Sequence, residues 1–150
     1  MGKNMSTETV FSIVDSENTC LAIIIRNNYS PDVTTFFSEA RYSQQIGIIK
    51  YPKAGKIKPH YHNELSREVM HTQEVLVVRK GSVRVDLYDK KLNFVQSIVL
   101  SQNDVVFLVS GGHGFEMLDN CELLEVKQGP YSGVANDKTH FEGKSNDSGK

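Results

Sequence analysis

Three of the chain's five histidines fall between residues 60 and 71, inside the stretch KPHYHNELSREVMHTQEVLVVRKG that runs from Lys58 to Gly81. Neutral imidazole is the commonest side-chain ligand for a transition metal. On a β-strand, side chains alternate between faces, so residues two apart project to the same side. The spacing of His60 and His62 therefore predicts a pair of imidazoles converging on one point. Lys56 and Lys58 share that face, while Ile57, Pro59 and Tyr61 take the other. Two histidines on an ordinary wet strand would have the same spacing, so the pair gains weight only from further donors. Glu74 opens a run in which Leu76 and Val78 share its face, which puts a carboxylate at the end of a core-facing row, where an unpaired charge is costly. His113 follows the tight turn Ser110-Gly111-Gly112 and shares parity with Phe115 and Met117, so it also reads as inward-facing. Three imidazoles and one carboxylate would give a divalent ion four ligands and leave one or two positions for water or substrate.

The elements that must position these donors are strands. CLAIIIR, IGIIKY, KPHYH, EVLVVRKGSVRVDLYD, FVQSIVL, DVVFLV, GFEML and CELLEVK are short runs, mostly rich in Val, Ile, Leu and Phe, separated by turn residues. Their spacing predicts an all-β sandwich or barrel rather than a parallel α/β sheet. EVLVVRKGSVRVDLYD is expected to be a hairpin turning at Lys80-Gly81, and YDKKLNF to be the next turn. One short helix near the N-terminus is expected over residues 30–44, where Ser30 could cap, Pro31 and Asp32 suit a first turn, and Val33, Phe36, Phe37 and Ala40 recur at helical spacing.

At 150 residues, 39% hydrophobic and 23% charged, the chain suits one domain with one core, expected over residues 9–142 with flexible termini at 1–8 and 143–150. A net charge of −1 gives no single-sign field for nucleic acid or an anionic membrane, so a small-molecule partner is expected. No segment approaches the ~18 consecutive apolar residues of a membrane helix, and the first ten residues are polar, so a cytoplasmic location is expected. Cys20 and Cys121 form neither a CxxC pair nor a disulfide framework and read as small buried hydrophobes.

The histidine-rich half of this pattern resembles the cupin family. Gly55, the pair His60-Tyr61-His62, Glu74 and, after six intervening residues, Gly81 match the family's first motif, with eleven residues rather than three or four between His62 and Glu74. In the second motif Asn103-Asp104 replaces Gly-Asp, Val109 replaces Pro, Gly111 matches, His113 comes one residue early and the closing Asn is absent. The resemblance covers roughly residues 45–128. It implies a double-stranded β-helix, or jelly-roll barrel, with a divalent metal (iron, manganese, nickel or zinc) held at its mouth by His60, His62, Glu74 and His113. A narrower likeness, carried by GGHGFEML, ELLEVKQGPYSG and TQEVLVVRKGSVRVDLYD, is to small cupins associated with surface-polysaccharide and sugar-nucleotide genes.

The expected function is a metal-dependent enzyme acting on a small carbohydrate-derived or anionic molecule by isomerase, lyase or oxygenase chemistry. A metal-free sugar-nucleotide epimerase or ketoisomerase, and a non-catalytic small-molecule or sugar-binding module, are the alternatives. His71 is a weak candidate for a general base or fifth ligand, although a loop histidine is its simpler reading. Arg67 is a candidate for gripping an anionic substrate, since a guanidinium binds carboxylate or phosphate bidentately, and Phe115 is a candidate pocket wall. Lys127 reads as a solvated strand-end residue and Tyr131 as packing over the barrel end. A homodimer that pairs free strand edges is the default assembly.

Overall fold

The protein is described here by a computed structural model covering residues 8–143. The expectation of frayed ends at 1–8 and 143–150 lies almost wholly outside those residues. Ten strands and one helical turn follow in order: β1 (Val10–Val14), β2 (Cys20–Ile25), β3 (Thr35–Phe36), β4 (Gly47–Ile48), β5 (Glu74–Lys80), β6 (Val83–Tyr88), β7 (Phe94–Leu100), β8 (Val105–Leu108), β9 (Gly112–Met117), β10 (Glu122–Lys127) and α1 (Val134–Asp137). The all-β reading holds.

The strands form a five-stranded antiparallel sheet ordered β1-β2-β8-β5-β10, a three-stranded sheet ordered β7-β6-β9 and a small β3-β4 pair. Alternation decides how the two larger sheets meet. Ile13, Leu21, Ala22, Ile24, Leu76, Val78, Val106 and Leu108 from the first sheet pack in one cluster with Val83, Val85, Leu87 and Leu100 from the second. Fully burying a side chain of this size contributes ~1.5–3 kcal/mol, so this shared interior is the main force holding the sheets face to face. From β5 onward the chain changes sheet at nearly every connection: β5 is in the large sheet, β6 and β7 in the small, β8 in the large, β9 in the small and β10 in the large.

That winding corrects the expected hairpin. β5 pairs with β8 and β10, whereas β6 pairs with β7 and β9. Period-two alternation on both sides of a turn is equally compatible with a hairpin and with a step between sheets. Gly81 makes the step. Its φ is +75°, and a Cβ there would come 2.5 Å from the backbone oxygen of Asn120, so only glycine fits both the conformation and the space. The next expected turn is present: β6 and β7 are a hairpin, with Asp89 Oδ1 accepting from the backbone N–H of Lys91 and Asn93.

Two other expectations fail on local grounds. Residues 30–44 are not helical; they contain β3 and turns. Phe37 and Tyr42 cover the outer face of the five-stranded sheet instead, where they and the following Ile46 pack on Ile23, Phe107 and Val109. Among the described residues the only helical turn is α1, far from the N-terminus. KPHYH does not form a strand: residues 49–73 contain no strand or helix, and residues 49–72 are exposed throughout. β1 is a strand that the polar-looking start of the chain did not announce.

A buried carboxylate fastens one corner of the sheet. Asp104, 3% exposed, accepts hydrogen bonds from Arg26 Nη1 at 2.8 Å and from the backbone N–H of Asn27 at 2.8 Å and Ser101 at 2.9 Å. Replacing Asp104 with Ala removes the shared acceptor of all three donors, of which Arg26 Nη1 keeps only the Val99 carbonyl, and should cost about 3 kcal/mol. Replacing Gly81 with Ala forces a strained conformation against a backbone oxygen and should cost about 1–3 kcal/mol. Urea unfolding of both variants reads these losses as lower midpoints at unchanged slope; a wild-type midpoint for Gly81→Ala would show that the crossover tolerates a side chain.

Candidate functional site

The inner face of the large sheet grows more polar from one edge to the other. Across one row the residues in register are Ile13, Ala22, Leu108, Glu74 and Lys127, so the apolar row ends in a carboxylate and an ammonium at β5 and β10. On the small sheet the edge strand β9 sets His113 opposite Leu87 and Phe115 opposite Val85. Because β10 and β9 are the edges of their sheets, the inner side chains they carry line the place where the sandwich opens.

There the two sheets meet through a polar contact. His113 Nε2 lies 3.2 Å from Glu74 Oε2, and Glu74 is 8% exposed. The hydrogen bond from His113 is the largest influence on the Glu74 carboxyl; it outweighs burial and holds the group below the usual glutamate range, helped by Lys127. Phe115 stands 5.4 Å from the His113 ring, tilted at 59°. Lys127, expected to be solvated, instead points inward: its side chain is 24% exposed, and its Nζ lies 3.3 Å from Asp137 Oδ2 on α1, 3.9 Å from Glu74 Oε1 and 4.0 Å from Glu125 Oε1. The hydrogen bond to Asp137 raises the Lys127 ammonium above the ordinary lysine range. Tyr131 is 64% exposed, with Lys127 Nζ 5.9 Å from its ring centre.

The other predicted donors lie on residues 49–73, which form a long arm between β4 and β5. His60 and His62 are neighbours there, their ring centres 5.4 Å apart at 77°. His60 Nδ1 is 2.9 Å from the carbonyl oxygen of Lys58. A carbonyl can only accept, so in the neutral ring Nδ1 carries the proton and Nε2 keeps its lone pair. Arg67 and His71 are exposed on the same arm. The four expected ligands thus occur as two pairs, Glu74 with His113 at the sandwich mouth and His60 with His62 on the arm. Among the described residues no group of three or more His, Cys, Asp or Glu comes together as an ion would need.

The arm is clamped at its root. Gln73, 6% exposed, accepts from Ser43 Oγ and the Gln44 N–H, donates from Nε2 to the Val109 carbonyl, and donates its backbone N–H to Gln128 Oε1 at 2.7 Å. This network fixes the start of β5 and hence the height of Glu74 in the mouth. Gln73, Asp137 and the inward turn of Lys127 were missed from the sequence. The one usable signal was that Lys127 shares the face of Leu123 and Glu125, which packing makes the inner one.

Cys20 and Cys121 are free and half-buried, in keeping with their reading as small hydrophobes. Among the described residues no helix is long and apolar enough to cross a membrane. No family model, curated protein or solved structure matches the chain.

The depressed Glu74 carboxyl carries a sign. A group held below its unfolded value stabilises the fold above that value, about 4.3 for glutamate, and loses its contribution as pH falls through the folded value. In metal-free protein, Glu74→Gln should therefore lower the melting temperature at pH 7, and the gap to wild type should shrink as pH drops below 4. A gap that stays constant across that range would show that the Glu74 charge contributes nothing to the fold.

Proposed function

We propose that the chain is a metal-binding cupin-type jelly roll that uses a divalent transition ion to act on a small carbohydrate-derived or anionic molecule. The observation that carries this reading is the pairing of Glu74 with His113. Two ligands at ~2.1 Å from one ion, at right angles, stand about 3 Å apart, and the 3.2 Å between His113 Nε2 and Glu74 Oε2 suits such a pair. The donor set is right for iron, manganese, nickel or zinc. The His60 ring supports it too, because a metal-binding imidazole usually gives its other N–H to a carbonyl or carboxylate, as Nδ1 does to Lys58.

Completion of the set requires the arm to fold onto the mouth. The repeated change of sheet from β5 to β10 is how a jelly roll winds, and the small sheet, with three strands against five, has a free edge at β9. Residues 56–62 alternate in a strand-like way and have no partner strand. Charge favours closure as well: the arm holds five basic and two acidic residues, whereas the rest of residues 8–143 holds nine basic and fifteen acidic. Paired along β9 with Ile57, Pro59 and Tyr61 outward, the arm would turn His60 and His62 toward Glu74 and His113.

The bound ion would supply Lewis-acid polarisation of a substrate carbonyl or hydroxyl. Glu74 and His113 orient the site from opposite sheets, Phe115 walls it, and Arg67 and His71 would arrive with the arm, one to grip an anionic group and the other to move a proton. A second reading rests on the same contact. An imidazole oriented by a carboxylate is an acid/base pair without any ion, as a metal-free sugar-nucleotide epimerase or ketoisomerase would use.

Elemental analysis of protein purified without a metal-affinity tag separates the two. Wild type should carry about one equivalent of iron, manganese, nickel or zinc, and both His62→Ala and His113→Ala should lose most of it while keeping the far-ultraviolet circular dichroism of the sandwich. Absence of bound ion from wild type, even after supplementation with each metal, would sink the metal reading and favour the acid/base pair. Arg67→Ala should leave the metal content unchanged.

A further inference from the structure

The mouth of the sandwich already holds a cation of its own. Lys127 Nζ stands among Asp137, Glu74 and Glu125 at 3.3, 3.9 and 4.0 Å. Three carboxylates around one ammonium leave a formal charge of −2, the charge that a divalent ion cancels. Glu74 is the shared member: Oε2 takes His113, while Oε1 faces Lys127. An ion bound at Glu74 would bring two positive charges within a few ångströms of that ammonium. At such separations and protein-like dielectric the repulsion is large enough to decide affinity.

We propose that Lys127 is a tethered counter-ion that competes with the metal for Glu74 and so sets how tightly the ion is held. In metal-free protein it balances the Glu74 carboxylate from the Oε1 side, opposite the contact that Oε2 makes with His113. When the ion enters, the ammonium gives up Glu74 and keeps Asp137, already its nearest carboxylate and the one to which it donates a hydrogen bond. α1 therefore provides the resting place that makes the exchange possible, since Asp137 is the last residue of that turn. Register explains why the lysine stands there: β10 pairs Lys127 directly with Glu74, on the same face of the sheet. The inference rests on the metal reading above and adds to it a residue that restrains binding instead of supplying a ligand.

Isothermal titration of wild type, Lys127→Met and Lys127→Arg with Mn²⁺ and with Zn²⁺ at low ionic strength tests it. Lys127→Met should bind about tenfold more tightly or better, and Lys127→Arg, which keeps the charge, should stay within about threefold of wild type. Thermal melts establish that each variant is folded, and Lys127→Gln reads the same loss of charge should the methionine variant fail to fold. Equal or weaker binding by the uncharged variant, with wild type binding the ions, overturns the counter-ion role and leaves the metal reading standing. No binding by wild type or any variant overturns the metal reading and this inference with it.

Discussion

The structure depends on the apolar interior that two unequal antiparallel sheets share. Strand alternation commits every second residue of β2, β5, β6 and β8 to that interior, and the cluster from Leu21 to Leu108 leaves those strands no freedom of register, because a slip of one residue would turn each row to the opposite face of its sheet. The candidate site is a by-product of this constraint. Glu74 faces inward because Leu76 and Val78 must, and His113 faces inward because the β9 row lies against Val85 and Leu87. The contact between them is the interior continued to the point where one sheet runs out of apolar residues.

The step at Gly81 turns this packing into a site. Were β5 and β6 a hairpin, Glu74 would lie in the same sheet as Leu87 and the row of β9, and the carboxylate and imidazole could not approach from opposing sides. Residues adjacent in sequence are instead assigned to opposing sheets, so a carboxylate and an imidazole 39 positions apart converge across the opening. Burial there is uneven: Glu74 is dry enough for its partners to matter, while His113 beside it keeps part of its ring open to solvent.

Parity made much of this legible in the sequence. Runs of Val, Ile and Leu separated by turn residues were enough for an all-β chain, and counting by twos from Leu76 and from Phe115 put Glu74 and His113 on inner faces. The same counting failed at His60 and His62, since parity assigns a face only where a strand forms, and the arm has no neighbour to pair with. It was silent on the Gly81 crossover, where both outcomes share one pattern. Residues 30–44 misled for a different reason. Val33, Phe36, Phe37 and Ala40 do recur at helical spacing, but Phe37 and Tyr42 are required as separate covers over Ile23 and Phe107, a demand that belongs to the sheet beneath them and leaves no trace in local periodicity. Lys127 was misjudged because its partner Asp137 lies beyond the end of the strand, on a single helical turn.

The clamp at Gln73 has a consequence for how such a chain can change. By tying the foot of the arm to Ser43, Gln44, Val109 and Gln128, it separates the arm mechanically from the scaffold: residues added or removed between His62 and Gln73 alter the reach of the arm without shifting β5 by a single register position. Lengthening a loop that is already long costs little in closure entropy, about 0.6 kcal/mol per doubling. The segment between His62 and Gln73 is therefore a part of the molecule where insertions can accumulate at small cost to folding, so that the surroundings of the opening can be reshaped while the sandwich that supports it stays the same.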